Sequence, residues 1–258
     1  MHLSGLSLSG DFASCLAADF LVLEDLQLED CAYDFRRLAS RSLRKLFMDR
    51  CDSRHSANDV LAIAAPRLAS LHINGYPPPV TAEGGMPSLV AASLTGPAGE
   101  LGFLRSLHCT RSLNLTEFSM AALLGDEGHE GGFPVFYNLR TLVLVGCNVG
   151  VGCQVVRCFL RNAPALETLT LRHCVFFGGP RSKKRKARSG DKTPSAADRC
   201  SRPAYECRNL KSIEVEFCEG LPVDELVRAL ADIPKEVVQP IESSVQGGEW
   251  RKVRISFR

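Results

Sequence analysis

No two cysteines in this sequence stand in a Cys-x-x-Cys arrangement, and no apolar run approaches the ~18 residues a membrane-spanning helix needs. The first absence removes the commonest framework of a zinc site; the second removes a helical membrane anchor. The opening MHLSGLSLSGDF lacks the basic stretch and long apolar core of a secretory signal. Neither charge is in excess: 31 Lys and Arg stand against 29 Asp and Glu, so the overall balance singles out no polyanion as a partner. The six histidines are scattered without metal-type spacing, and no Gly-x-Ser-x-Gly elbow occurs. His173 and Cys174 are adjacent, which puts them on opposite faces of a strand and not in a base–nucleophile pair. The reading is non-enzymatic, with no catalytic residue, cofactor or metal site.

A Gly-x-Gly at Gly150 and Gly152, between a strand and a helix, invites comparison with a dinucleotide fingerprint. The third position holds Val155, and the next strand ends in Arg172, His173 and Cys174 with no acid for a ribose. A turn between repeats explains these glycines better.

What the chain has in quantity is apolar residues, 45% of 258, and eleven cysteines. The odd number, without a secretory signal, points to reduced thiols in a cytosolic or nuclear setting. The apolar residues are periodic. Leu139, Leu142, Leu144 and Cys147 form one Leu-x-x-Leu-x-Leu-x-x-Cys unit, and Leu166, Leu169, Leu171 and Cys174 form the next. Recurrence at roughly 20 to 29 residues marks a leucine-rich-repeat solenoid.

That register finds further copies at Leu3, Leu23, Leu43, Leu68 and Leu89, one with Thr110 in first place before Leu113 and Leu115, and one at Leu210. Cys31, Cys51, Cys147, Cys174 and Cys218 share one position, inside the turn after the strand. The expected fold is α/β: nine to ten irregular repeats, a parallel sheet on the concave face, helices and loops on the convex face. Residues 53–65 read as helix, 75–87 as loop, 150–162 and 223–233 as helices, and 250–257 as a capping strand. Repeats fill 1–177, a basic, disordered insertion fills 178–206, and the C-terminal repeats and cap fill 207–258. Within the insertion, Lys183, Lys184, Arg185 and Lys186 are a nuclear-import candidate. Nucleic acid as the main partner is not expected, because no aromatic or recognition-helix context accompanies the run, and no membrane partner is expected.

Residues between the inward leucines line up along the concave face. The middle row is Ser7, Gln27, Phe47, His72, Ser93, Asn114, Val143, Thr170, Glu214 and Arg254; a flanking row holds Val145, Arg172, Glu216 and Ser256. The row mixes aromatic, aliphatic and both charges, which suits a protein partner. The partner-binding candidates are Phe47, His72, Asn114, Val143, Val145, Thr170, Arg172 and Glu214.

The stretches FPVFYNLRTLVLVGC, APALETLTLRHC and CRNLKSIEVEFC resemble the leucine-rich repeats of plant F-box proteins. The resemblance is strongest over residues 133–174 and resumes over 207–233. It implies recognition of a target protein for ubiquitination, with the F-box binding the Skp-type adaptor of a cullin ligase. This chain starts inside a repeat at Leu3, so the expectation is a substrate-binding region that does not dock on the adaptor unless an F-box lies upstream. The alternative is a free-standing nuclear repeat scaffold that uses its basic loop for import or nucleic-acid contact.

Overall fold

Leucines two apart, separated by small or polar residues, cannot bury their apolar face along a helix, but they do so along an extended chain. The computed structural model describes residues 1–54, 59–75, 79–96, 101–118, 133–149, 153–175, 207–218, 242–246 and 250–256. Its first half holds β1 (His2–Ser4), β2 (Ser7–Leu8), β3 (Asp25–Glu29), β4 (Ala32–Tyr33), β5 (Arg37–Ala39), β6 (Lys45–Asp49), β7 (Asp52–Ser53), β8 (Leu61–Ala64), β9 (Ser70–Asn74), β10 (Val80–Ala82) and β11 (Ala91–Thr95). The rest holds β12 (Ser112–Thr116), β13 (Thr141–Val145), β14 (Thr168–Arg172), β15 (Ser212–Cys218), β16 (Glu242–Gln246) and β17 (Trp250–Ser256). Among the described residues three helices accompany them: α1 (Gly10–Ala18), α2 (Leu101–Ser106) and α3 (Gln154–Asn162). No helix among the described residues is long and apolar enough to cross a membrane.

The fold is mixed α/β and dominated by an 11-stranded sheet in the order β1-β3-β6-β9-β11-β12-β13-β14-β15-β17-β16. Pairing is parallel from β1 to β15, and the β15–β17 and β17–β16 pairs are antiparallel, so that β17 is the reversed strand. Register puts Leu26 beside Leu46, Leu46 beside Leu71, Leu113 beside Leu142 and Leu142 beside Leu169. These leucines are at most 1% exposed, and burying such a side chain contributes about 1.5–3 kcal/mol. Thr110 occupies a first-leucine place, completely buried, because its hydroxyl donates to the Leu107 carbonyl at 2.8 Å.

The backbone bonding recurs along the ladder. At the starts of β6, β9 and β11 to β15 two successive amides donate to one carbonyl beside the preceding strand: Ala69 and Ser70 to Arg44 (2.8 and 3.0 Å), Arg140 and Thr141 to Arg111 (2.8 and 3.0 Å). At the strand ends the chain turns through a left-handed residue, namely Gly5, Asp30, Arg50, Gly75, Gly96, Glu117, Gly146 and His173. In the next turn position, the thiols of Cys51, Cys147 and Cys174 donate to the carbonyls of Leu28, Leu115 and Leu144 in the preceding copy, at 3.4, 3.3 and 3.4 Å. The cysteines therefore serve as buried, weakly polar clips between copies. β15 continues as strand through Cys218, so that residue is not in such a turn.

Behind the sheet lie α1, then the parallel strands β5, β8 and β10, then α2. This corrects two expectations. Within 53–65, Leu61–Ala64 is a strand: Leu61 and Ile63 point inward at period two and pair with Val80 and Ala82. The span read as loop contains β10. The helix expected over 150–162 is α3, which buries Val155, Val156, Phe159 and Leu160. The helix read at 223–233 and the insertion at 178–206 lie outside the described residues.

Two registers also differ. Leu3 pairs with Leu28, not Leu23, and Leu8 pairs with Tyr33 in a second small sheet, β2-β4-β7. Leu3, Leu6 and Leu8 imitate the repeat spacing, but the chain turns at Gly5 (φ 65°) between them. At the other end, antiparallel β17 sets Lys252 opposite Glu216 and Ser256 opposite Ser212.

Candidate functional site

Each five-residue strand turns three side chains away from the core, and the parallel register stacks them into three columns. The middle column runs Gln27, Phe47, His72, Ser93, Asn114, Val143, Thr170, Glu214 and Arg254. His2, not Ser7, stands beside Gln27. Strand β16, which was not anticipated, pairs antiparallel with β17 and sets Glu242 opposite Arg254. The other expected middle-row residues fall where the sequence put them; in the adjacent column Val145, Arg172 and Glu216 line up as expected, but Lys252 takes the place expected for Ser256. Lys183, Lys184, Arg185 and Lys186 lie outside the described residues.

The first feature on this face is an aromatic slab. The rings of Phe47 and His72 stack with centroids 4.4 Å apart and planes 5° from parallel. Paired residues of neighbouring strands bring the rings together, and an offset stack of this kind adds about 0.5–1.5 kcal/mol beyond area burial. Burial lowers the pKa of His72 below its ordinary 6.5, against a smaller upward pull from Asp49. The ring is neutral at pH 7. Asp49 is itself nearly buried, held by Asn74 Nδ2 donating to Oδ1 at 2.6 Å and by the Arg50 guanidinium.

Charge is confined to the two ends of the face, and there it is paired. Toward the N-terminus Arg50 donates to both carboxylate oxygens of Asp30, at 2.7 and 3.0 Å, and holds that carboxyl below the usual range. His2 lies 3.4 Å from Glu29. Toward the C-terminus Glu214 receives Arg254 and Lys252, which hold its carboxyl down in that order of effect. Arg172 reaches Glu216 at 3.7 Å. Thr170 is 7% exposed and is covered within the row, so of the eight candidates it offers the least surface.

The middle of the face presents hydroxyls, amides and valines. It offers shape and hydrogen bonds and no reactive constellation.

No protein-family model matches the chain, and no solved structure matches it. The chain is similar to the meiotic F-box protein MOF of rice, Oryza sativa subsp. japonica: 30% identical over 243 aligned residues, covering 84% of this chain and 50% of that protein. It spans about half the length of the curated relative it matches.

Proposed function

We propose that this chain is a leucine-rich-repeat solenoid of an F-box-type protein and acts, without catalysis of its own, as the target-recognition region of a cullin ubiquitin-ligase receptor. The observation that carries the reading is the similarity to a rice F-box protein along 84% of the chain. The sequence-ordered parallel ladder supports it, because each copy buries its leucines only against its neighbours, as repeat arrays do. The outer face, from Phe47 to Glu214, holds the target. Docking on the Skp-type adaptor and cullin requires an F-box, and the residues described supply the target-binding part.

The test is co-purification of the full natural gene product from plant tissue. Recovery of a Skp-type adaptor and a cullin at near-stoichiometric levels supports the reading. A monodisperse protein free of both, under conditions that retain the adaptor on another F-box protein, contradicts it.

A second reading rests on the run RSKKRKAR at 181–188: a nuclear scaffold whose import depends on Lys183, Lys184, Arg185 and Lys186. Replacing these four by alanine and following a fluorescent fusion tests it; unchanged nuclear accumulation removes it.

A further inference from the structure

On β9, β11, β12 and β13, three side chains per strand point away from the core, twelve neighbouring positions in all. None is Asp, Glu, Lys or Arg. At the chain's 23% charged content, twelve positions would carry about three charges, and more on a surface, where charged residues concentrate. The strands on either side do carry them: Asp25, Glu29, Lys45 and Asp49 before the band, Arg172 and Glu216 after it. The uncharged band is thus bounded and four strands wide, which at the ~4.8 Å spacing of a sheet is on the order of 15–20 Å.

We infer that this band is the contact surface for an uncharged, extended segment of the target protein, anchored by an aromatic side chain on the Phe47–His72 slab. The inference rests on the outer face being the target-binding surface. Electrostatic matching selects the occupant. A carboxylate, phosphate or ammonium group laid on the band would lose hydration and meet no opposite charge. Along the columns the charges that border the band, Asp49 and Arg172, are already bound by Arg50 and Asn74 and by Glu216, while Arg111, Glu117 and Arg140 stand beyond the ends of its strands, outside the twelve positions. Ser93 and Asn114 can instead exchange hydrogen bonds with a neutral peptide backbone, and Val143 offers apolar contact at the far side. The flat neutral face of His72, backed by Phe47, suits stacking by a partner ring.

The experiment is a backbone-amide NMR titration of the full chain with three capped pentapeptides: acetyl-Ser-Thr-Trp-Ser-Thr-amide, the same peptide with Glu at the four outer positions, and with Lys there. The expected result is that the uncharged peptide shifts His72, Ser93, Asn114 and Val143, and that both charged peptides bind at least about tenfold more weakly. Phe47→Ala abolishes the shifts. Ser93→Asp, a surface change that leaves the core intact, weakens the uncharged peptide and turns the preference to the Lys peptide. Equal or tighter binding of a charged peptide at these residues overturns the partner class and leaves the face as a binding surface. Shifts that map elsewhere overturn both, and no shift with any peptide overturns this inference.

Discussion

Gly146 lies against Glu117 in the neighbouring copy, so closely that a Cβ on Gly146 would stand 3.3 Å from Glu117 Cγ. Both residues are left-handed, at φ 61° and 55°. The glycine suits the conformation, whereas the glutamate adopts it at a cost of about 1–2 kcal/mol. We predict that Gly146→Ala destabilises by about 1–2 kcal/mol and that Glu117→Gly stabilises by about 0.5–1 kcal/mol. Placed together, the two should be coupled, because Glu117→Gly removes the atom that the new methyl group meets. Urea denaturation of the four proteins measures this; strict additivity would mean that the close approach carries no energy.

The buried thiols set a pH limit. Burial pushes Cys51 up to about 11 and Cys174 up to about 12, from an ordinary 9.0. Folding thus favours the neutral thiol. That stability is fully present below pH 9 and is lost as pH rises through 11 to 12. In the native state at pH 8, both should resist alkylation by iodoacetamide. Cys174→Ala should flatten the alkaline loss while costing about 1–2 kcal/mol at pH 7 through lost packing and the lost bond to Leu144. Rapid labelling of Cys174 in the folded protein would contradict the burial that underlies both statements.

The histidine runs in the opposite sense. Folding favours the neutral His72 ring, so its contribution is present above pH 6.5 and is lost as pH falls through its lowered folded pKa. Phe47→Ala uncovers the ring and should move its pKa back toward 6.5. An NMR titration of the His72 ring protons reads this directly; an unchanged pKa would show that Phe47 does not shield it.

Core and face should respond differently to truncation. Leu142 is wholly buried between Leu113 and Leu169, and Leu142→Ala should cost about 2–5 kcal/mol. Val143, its neighbour on the outer face, should lose no more than about 1 kcal/mol as Val143→Ala, because its side chain stays partly in water. Thermal unfolding distinguishes the two.

The register of the middle column was legible because period two fixes which side of a strand each residue takes. A slip of one residue would expose every leucine of the sheet. Thr110 could be assigned a leucine place because the spacing from Leu89 required it. Leu61–Ala64 was misread because a short apolar run carries too few residues to separate a helix from a strand; its pairing with Leu38-bearing β5 and with β10 decides. The left-handed turns were readable at Gly75, Gly96 and Gly146, but not at Arg50, Glu117 or His173, where only the stacked copies impose the conformation. On the candidate face, the eight strands β3, β6, β9 and β11 to β15 supplied the expected middle-row side chains, and β17 supplied Arg254. The ends departed from expectation: β1 joins five residues out of the expected register, so His2 replaces Ser7, and β17 reverses direction, so Ser256 stands beside Ser212 and not Glu216.

Whether the outer face holds the target is decided by comparing the proteins that co-purify with the full gene product carrying Val143→Glu, on that face, or Val60→Glu, exposed outside it. Quantitative mass spectrometry should show a target lost with Val143→Glu, retained with Val60→Glu, and an adaptor and cullin recovered equally with both. Loss of the target with Val60→Glu and retention with Val143→Glu would contradict the account.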